Sequence, residues 1–457
     1  MFKKFLKKAA EAPAKGLEKS VETLEEAGKT IITKKPLQAA ERYWETLGPG
    51  LTTGAADDDP SGIATYSQVG AKYGFKLLWL APFTFPLMAI VQEMCARIGL
   101  ATGRGLANNI KNRFPRWVLY FCTTLLFAAN TFNLGADLSI MAGATRLLIP
   151  AANFIILVFL FAVASLLLQI FSAYARYARY LKYLTLVLFA YFFSALSLNL
   201  DWPLIIREAF SPSLVFSKEQ VILICAILGT TISPYLFFWQ SSQEVEEEIL
   251  QGRTTVRMRR RETYPEEIKK MRIDVWSGMF FSNLVMFFII VACAGALFSN
   301  GLTDIKTAQE AALALRPFAG GFAFFLFTIG IIGVGLLSVP VLAGSASYAV
   351  SETFGWRAGL YRRLKESYAF YGIIIISMCL GLAMNFFNFN PIKALIAAAV
   401  INGLVAPIIL FFIIKISSDK TMMGKWASGL LSKFFGWFVF GLMAIVGIAT
   451  IVSLFAF

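Results

Sequence analysis

Apolar residues run through this chain in blocks of about 20, separated by short polar segments. FIILVFLFAVASLLLQIF (Phe154–Phe171) and FFSNLVMFFIIVACAGALF (Phe280–Phe298) are examples. A block of that length crosses the hydrocarbon core of a bilayer as one helix. The pattern predicts an all-α polytopic membrane protein with about 11 transmembrane helices, near 47–69, 76–99, 117–147, 152–172, 181–200, 219–242, 275–299, 319–347, 369–387, 391–416 and 433–456. The start of the chain, MFKKFLKKAAEAPAKGLEKS, is different. It is too charged for a removable signal peptide. Residues 1–43 are predicted to form a cytoplasmic amphipathic segment on the membrane surface, ahead of a transmembrane transporter domain over 44–457.

Two of the predicted spans break the apolar pattern at their middles. The first contains GAADDDPSGIATYSQVG, residues 54–70, and the sixth contains ILGTTISPYLFFWQSS, residues 227–242. Proline removes a backbone donor and glycine relaxes the chain, so both sequences favour an interrupted helix. They lie five spans apart, which places them at matching positions in opposite orientation. That is the signature of an inverted repeat, spans 1–5 against 6–10, with broken helices 1 and 6. Simple proline kinks are the alternative, but kinks leave the costly mid-membrane carboxylates without a reason. Unwinding frees carbonyl oxygens, and these together with a carboxylate make a hard oxygen cage for a cation. Asp59, beside the break, is the expected ligand. Asp57 and Asp58 point in other directions around the helix and are expected to line an access path or to meet neighbouring spans.

Charge adds topology. The chain is 15% charged, against about a quarter in soluble domains, and carries a net charge of +14. The basic residues sit in alternate loops: Arg104 to Arg116, Arg176 to Lys182, RTTVRMRRRETYPEEIKKMR (253–272) and Arg357 to Lys365. One orientation satisfies them all, with the N-terminus cytoplasmic and the C-terminus outside, in a bacterial-type plasma membrane. The charge therefore needs no nucleic-acid partner. QEVEEE, 243–248, is expected to lie in a solvated loop. The five cysteines fall in apolar spans without a CxxC pair, and histidine is absent. A disulfide framework or zinc site is not expected. Nor is an enzyme, since the chain has no nucleophile–base pair or nucleotide loop. No cofactor is expected. Tyr66, Phe237, Phe238 and Trp239 either pack or shape a pocket for an organic solute.

The motifs also carry a resemblance. LGPG (47–50), DPSGIATYSQVGAKYGFKLLW (59–79), MCARIGLATGRGLA (94–107), GADLSIMAG (135–143), GTTISPY (229–235) and SSDKTMMG (417–424) resemble, in order and spacing, the NRAMP family of divalent-metal transporters. That resemblance implies the LeuT-type architecture and a metal site between broken helices 1 and 6. The family's first motif is Asp-Pro-Gly-Asn and its sixth-span motif Met-Pro-His. Here Asp59 is kept, while Gly62 holds the Asn position, Ser233 the Met position and Tyr235 the His position. A second family His falls on Gln240. The family's third-span Asp and Glu, associated with proton movement, fall on Asp137 and Ile140. A family Gln falls near Val405, one turn from Asn402. The family pattern also implies the backbone carbonyls of Ala56 and Thr230 as ligands.

The changed positions set the expected function. Ser233 lacks the thioether that favours softer transition metals, and Gly62 lacks a ligand and is expected to leave space. The remaining oxygens suit a partly hydrated hard ion: Mg2+, with Mn2+ as a second cargo. A branch of NRAMP-related magnesium transporters has comparable changes. Without Glu or His, proton coupling is expected to be weak or absent. Asn130, Asn133 and Asp137 share a helix face and form either a water path or interhelical hydrogen bonds. The expected partners are a divalent cation and the lipid bilayer, with the protein a monomer or weak oligomer. The rival readings are a transporter of a non-metal solute on the same scaffold and a non-transporting family member.

Overall fold

A computed structural model of the chain describes residues 43, 46–171, 189–215, 217–316, 320–387 and 390–456. The predicted surface segment 1–43, apart from Tyr43, and the first part of the predicted fifth span lie outside the described residues. The helices named below lie in the unit Pro49–Phe457.

They are, in order, α1 (Pro49–Asp57), α2 (Pro60–Tyr73), α3 (Leu80–Thr102), α4 (Leu106–Arg113), α5 (Arg116–Leu148), α6 (Phe154–Phe171), α7 (Phe189–Leu196), α8 (Trp202–Ala209) and α9 (Lys218–Thr231). There follow α10 (Pro234–Leu250), α11 (Val256–Arg261), α12 (Pro265–Ala296), α13 (Ala308–Ala312), α14 (Ala323–Phe354), α15 (Tyr368–Met384), α16 (Pro391–Ser418), α17 (Lys420–Met423) and α18 (Leu430–Ala456). Among the described residues nine helices are long and apolar enough to cross a membrane, with α9 and α10 taken as one. The first predicted span is absent from these nine because it is two short helices, α1 and α2. The fifth is described only from Phe189 onward.

Peripheral helices expose their apolar side chains, as a bilayer-facing surface requires. Ile156, Phe159 and Leu160 of α6 and Ile445, Ile448 and Ile451 of α18 are exposed. Central helices are joined instead by small residues, which let backbones touch where lipid supplies no hydrophobic driving force. Gly50 and Gly54 of α1 meet Gly278 of α12 so closely that a Cβ on any of them would overlap main-chain atoms of the partner. Gly229 of α9 sits in the same way against Ala399 and Gly403 of α16. The long α5 packs against α14, α15 and α16.

Two expectations are corrected. The seventh span, α12, starts at Pro265 rather than 275. Proline is favoured at the first helical position, and Glu266 and Glu267 in the first turn complement the helix dipole. The helix therefore continues past the apolar segment that hydropathy detects. The acidic stretch 243–248 is no solvated loop. It is the end of α10, and Gln243, Glu244, Glu246 and Glu248 are all buried.

Candidate cation site

Both predicted interruptions exist, and they share one design. α1 ends at Asp57 and α2 begins at Pro60, with Asp59 as the N-cap. α9 ends at Thr231 and α10 begins at Pro234, with Ser233 as the N-cap. In each case proline occupies the first helical position, where its missing N–H is no loss. The last carbonyls of one half-helix and the first N–H groups of the next are thereby left outside regular helical pairing in the protein interior.

Asp59 is the centre of the arrangement and is fully buried. Its Oδ1 accepts from Ser61 Oγ at 2.5 Å and from the Gly62 N–H at 2.8 Å. Its Oδ2 accepts from Asn133 Nδ2 at 2.8 Å and lies 3.4 Å from Tyr235 Oη, which donates. Tyr235 Oη also donates to the Ala56 carbonyl at 2.7 Å. Tyr235 thus ties the two breaks together. The Ser233 hydroxyl donates to the carbonyls of Gly229 (2.6 Å) and Thr230 (2.8 Å), which leaves its own oxygen lone pairs unused. Asp59, Ala56 and Tyr235 therefore form one hydrogen-bonded set, while Ser233 and the Thr230 carbonyl pair with each other along the second break.

Gly62 differs from expectation, because its α-carbon does not face open space. A Cβ there would stand 3.1 Å from Thr230 Oγ1 and 3.3 Å from the Tyr66 ring. The two breaks approach each other at this point, and glycine permits the approach. Asn402 of α16 is buried with neither amide atom hydrogen-bonded. Its neighbour Gly403 touches Gly229, which brings it beside the second break.

The α5 stripe divides. Asn133 belongs to the Asp59 set. Asn130 Nδ2 donates to the Leu342 carbonyl (3.0 Å), and Asp137 Oδ2 accepts from Ser338 Oγ (2.8 Å), both on α14. These are the interhelical bonds that one of the two readings expects. One side-chain oxygen each of Asn130, Asn133 and Asp137 has no partner. Gln240 lies farther along α10 and donates to Glu244 at 2.8 Å, extending the polar interior away from Asp59. Asp57 faces α12, where its Oδ2 accepts from Ser282 Oγ at 2.7 Å. Asp58 is buried with an unpartnered Oδ1. Among the described residues no three Asp, Glu, His or Cys side chains converge as metal ligands, so the three consecutive carboxylates do not act as one cage. Phe237, Phe238 and Trp239 are buried, and Trp239 packs edge-on to Tyr348. They serve as packing.

Several anchors were not anticipated. Asp274 of α12 accepts from the N–H groups of Gly50 (2.6 Å) and Leu51 (3.1 Å), capping α1 from another helix. Gln68 of α2 donates to Asp304 (3.1 Å) and accepts from the Ile305 N–H (2.9 Å). Glu246 of α10 accepts from Tyr348 Oη (2.6 Å) and from the N–H groups of Leu360 and Tyr361 (2.9 and 3.0 Å). Three of the four half-helices that border a break, α1, α2 and α10, are thus held by an acid or amide. The available signal is spacing: Asp274, Gly278 and Ser282 recur every four residues, opposite Gly50 and Gly54. A cavity of about 460 Å3 opens at the end of α5, lined by Ser139, Ile140, Arg146, Lys306, Asn385 and Asn390 among others. Ile140, where the family pattern has a glutamate, forms part of its wall.

A helical membrane protein with two broken helices meeting at a buried oxygen-rich centre falls in the class of LeuT-type folds. Solved structures of that class match it. A manganese transporter of Eremococcus coleocola superposes with a TM-score of 0.69 at 16% identity, over 89% of this chain and 86% of that one. MhsT in complex with L-phenylalanine gives 0.59 at 14% identity, over 89% and 98%. The family is more definite. The model of natural resistance-associated macrophage protein-like (Nramp) sequences matches residues 50–453, and the chain belongs to that family. Among curated proteins it is similar to the divalent metal cation transporter MntH of Pectobacterium carotovorum subsp. carotovorum, 24% identical over 88% of this chain and 92% of that one. It is also similar to MntH of Caldanaerobacter subterraneus subsp. tengcongensis, 23% identical over 87% and 90%.

Proposed function

We propose that this protein carries divalent cations across a bacterial plasma membrane, with Mg2+ favoured, Mn2+ accepted and little coupled proton movement. The observation that carries the reading is the buried Asp59 carboxylate at the meeting point of two helix breaks, surrounded by hydroxyl, amide and carbonyl oxygens. Family membership and the names of the MntH relatives support a divalent cation as cargo. The donor set supports a hard ion. Every candidate ligand is an oxygen, whereas a soft thioether would favour later transition metals. Mg2+ dehydrates reluctantly and keeps several waters, and the unpartnered oxygens of Asn402 and Asn133 can accept from such waters. Ile140 beside the Asp137 pair supports weak coupling, since it can carry no proton. With the arginine-rich loops cytoplasmic, an inside-negative potential of 100 mV favours entry of a divalent ion by about 4.6 kcal/mol, which suffices without protons.

The test is uptake into proteoliposomes loaded in turn with Mg2+, Mn2+ and Ca2+ indicators, with internal pH followed in parallel. The expected result is Mg2+ flux with little acidification. Ser233→Met is expected to move the Mn2+/Mg2+ preference toward Mn2+ by about tenfold, one soft-ligand contact's worth at ~1.4 kcal/mol. An unchanged ratio, or proton flux matching cation flux, would count against the respective half of the proposal. Gly62→Asn is a poor companion substitution because its side chain must displace Thr230 or Tyr66. Tyr235→Phe removes the hydroxyl shared by Ala56 and Asp59. It is expected to raise the apparent KM for Mg2+ about three- to tenfold, from a hydrogen bond of ~0.5–1.5 kcal/mol. An unaltered KM would remove Tyr235 from the site.

A further inference from the structure

On the side of the molecule that carries the basic loops, a pocket of about 570 Å3 is lined by Arg104, Val256, Arg257, Arg260 and Arg261. A basic loop alone needs only the topological explanation, because positive charge holds a loop in the cytoplasm wherever its side chains point. The arrangement here is more specific. Arg257, Arg260 and Arg261 are spaced i, i+3, i+4 on α11 and so share one face. Arg259 lies on the opposite face and is buried. Its Nε donates to the Gly103 carbonyl at 3.0 Å, and its Nη1 donates to the carbonyls of Arg253 (2.9 Å) and Thr254 (3.1 Å). That anchor fixes α11 against the end of α3 and sets the next residue, Arg104, across from the three arginines.

The acids of this region are engaged elsewhere. Arg253 pairs with Glu267, with Glu248 at 3.4 Å and with Glu262 at 3.7 Å. No carboxylate lines the pocket, and among the described residues none of its four arginines makes an ion pair. Among the described residues, only the Arg260 guanidinium of the four has a polar contact, from Nη2 to the Met422 carbonyl at 3.4 Å. Four guanidinium groups converging without a counter-charge repel one another, and planar guanidinium forks suit phosphate oxygens.

We infer that this pocket is a binding site for a phosphate group of two or more negative charges, distinct from the cation path. Arg104 follows the last turn of α3, a helix long and apolar enough to span the membrane, so the pocket lies beyond one end of that helix. The phosphate belongs either to an anionic phospholipid or to a soluble polyphosphate. The chemistry is the same for both.

The experiment uses the full chain in nanodiscs without divalent ions. In phosphatidylcholine discs, inorganic pyrophosphate is titrated and the thermal midpoint is recorded. In a second arm, cardiolipin replaces part of the phosphatidylcholine. The wild type is expected to gain stability in at least one arm, and the gain is expected to shrink as salt rises. A gain with pyrophosphate marks a soluble ligand, and a gain with cardiolipin alone marks a lipid. R257Q/R260Q/R261Q is expected to weaken the effect at least about tenfold in apparent Kd, for the loss of three charge-assisted contacts. Should the triple variant fail to fold, R104Q, on a separate element, is read in the same two arms. No stabilisation of the wild type in either arm, or an equal effect in the folded variant, would overturn the inference.

Discussion

Replacing Asp59 by Asn is expected to reduce divalent-cation uptake at least about 100-fold in proteoliposomes, equivalent to ~2.7 kcal/mol, while the protein stays folded. The substitution is nearly isosteric, and its amide oxygen can still accept from Gly62 N–H and Ser61 Oγ, so the cap of α2 survives. Its amide nitrogen, by contrast, turns a donor toward Asn133 Nδ2 and Tyr235 Oη, which now donate to Oδ2. More important is the lost charge. A unit charge pair 4 Å apart is worth about 4 kcal/mol at an effective dielectric of 20, and the divalent cargo doubles the attraction. No second carboxylate takes over, because Asp57 faces Ser282 and the three aspartates do not converge. Thermal melting separates this outcome from misfolding: the midpoint should shift little. Flux retained within a few-fold of wild type would place the cation elsewhere.

The second large effect concerns packing. Gly54→Val should abolish transport and lower stability by about 3 kcal/mol or more, at the upper end for overpacking. A Cβ on Gly54 overlaps the carbonyl of Gly278, and both partners are main chain, so no side chain can rotate away. α1 must then leave α12, taking Gly50 and Leu51 out of reach of Asp274 and Asp57 away from Ser282. Gly143→Ala is a fitting control, since nothing lies within 4 Å of its added Cβ. It should behave as wild type. A Gly54→Val protein with normal melting and normal flux would show that this contact has no role in the cycle.

Much of this fold is legible in the sequence because membrane solvation imposes simple rules. A backbone in lipid must satisfy its own hydrogen bonds, so apolar length marks helices and a mid-span Asp-Pro or Ser-Pro marks a break. Asp59 follows from the same logic. Other features depend on which helix stands opposite, and hydropathy carries no such information. Asn133 reads as one member of a polar stripe on α5, yet only the approach of α5 to the first break makes it the partner of Asp59. Glu244, Glu246 and Glu248 look like solvated charges because acidic runs usually are. They are buried because Tyr348 and the 360–361 backbone approach Glu246 and Gln240 lies one turn from Glu244. Gly62 reads as missing bulk until the second break fills the position from across the interface.

Asp274 holds the start of α1 by two main-chain N–H groups, those of Gly50 and Leu51. Hydrogen bonds to a charged acceptor are worth about 1.5–3 kcal/mol each, so losing both costs ~3–6 kcal/mol. An arrangement without them would be populated on the order of one molecule in a hundred to one in ten thousand. The start of α1 therefore leaves α12 only rarely unless some other interaction offsets the loss of both bonds.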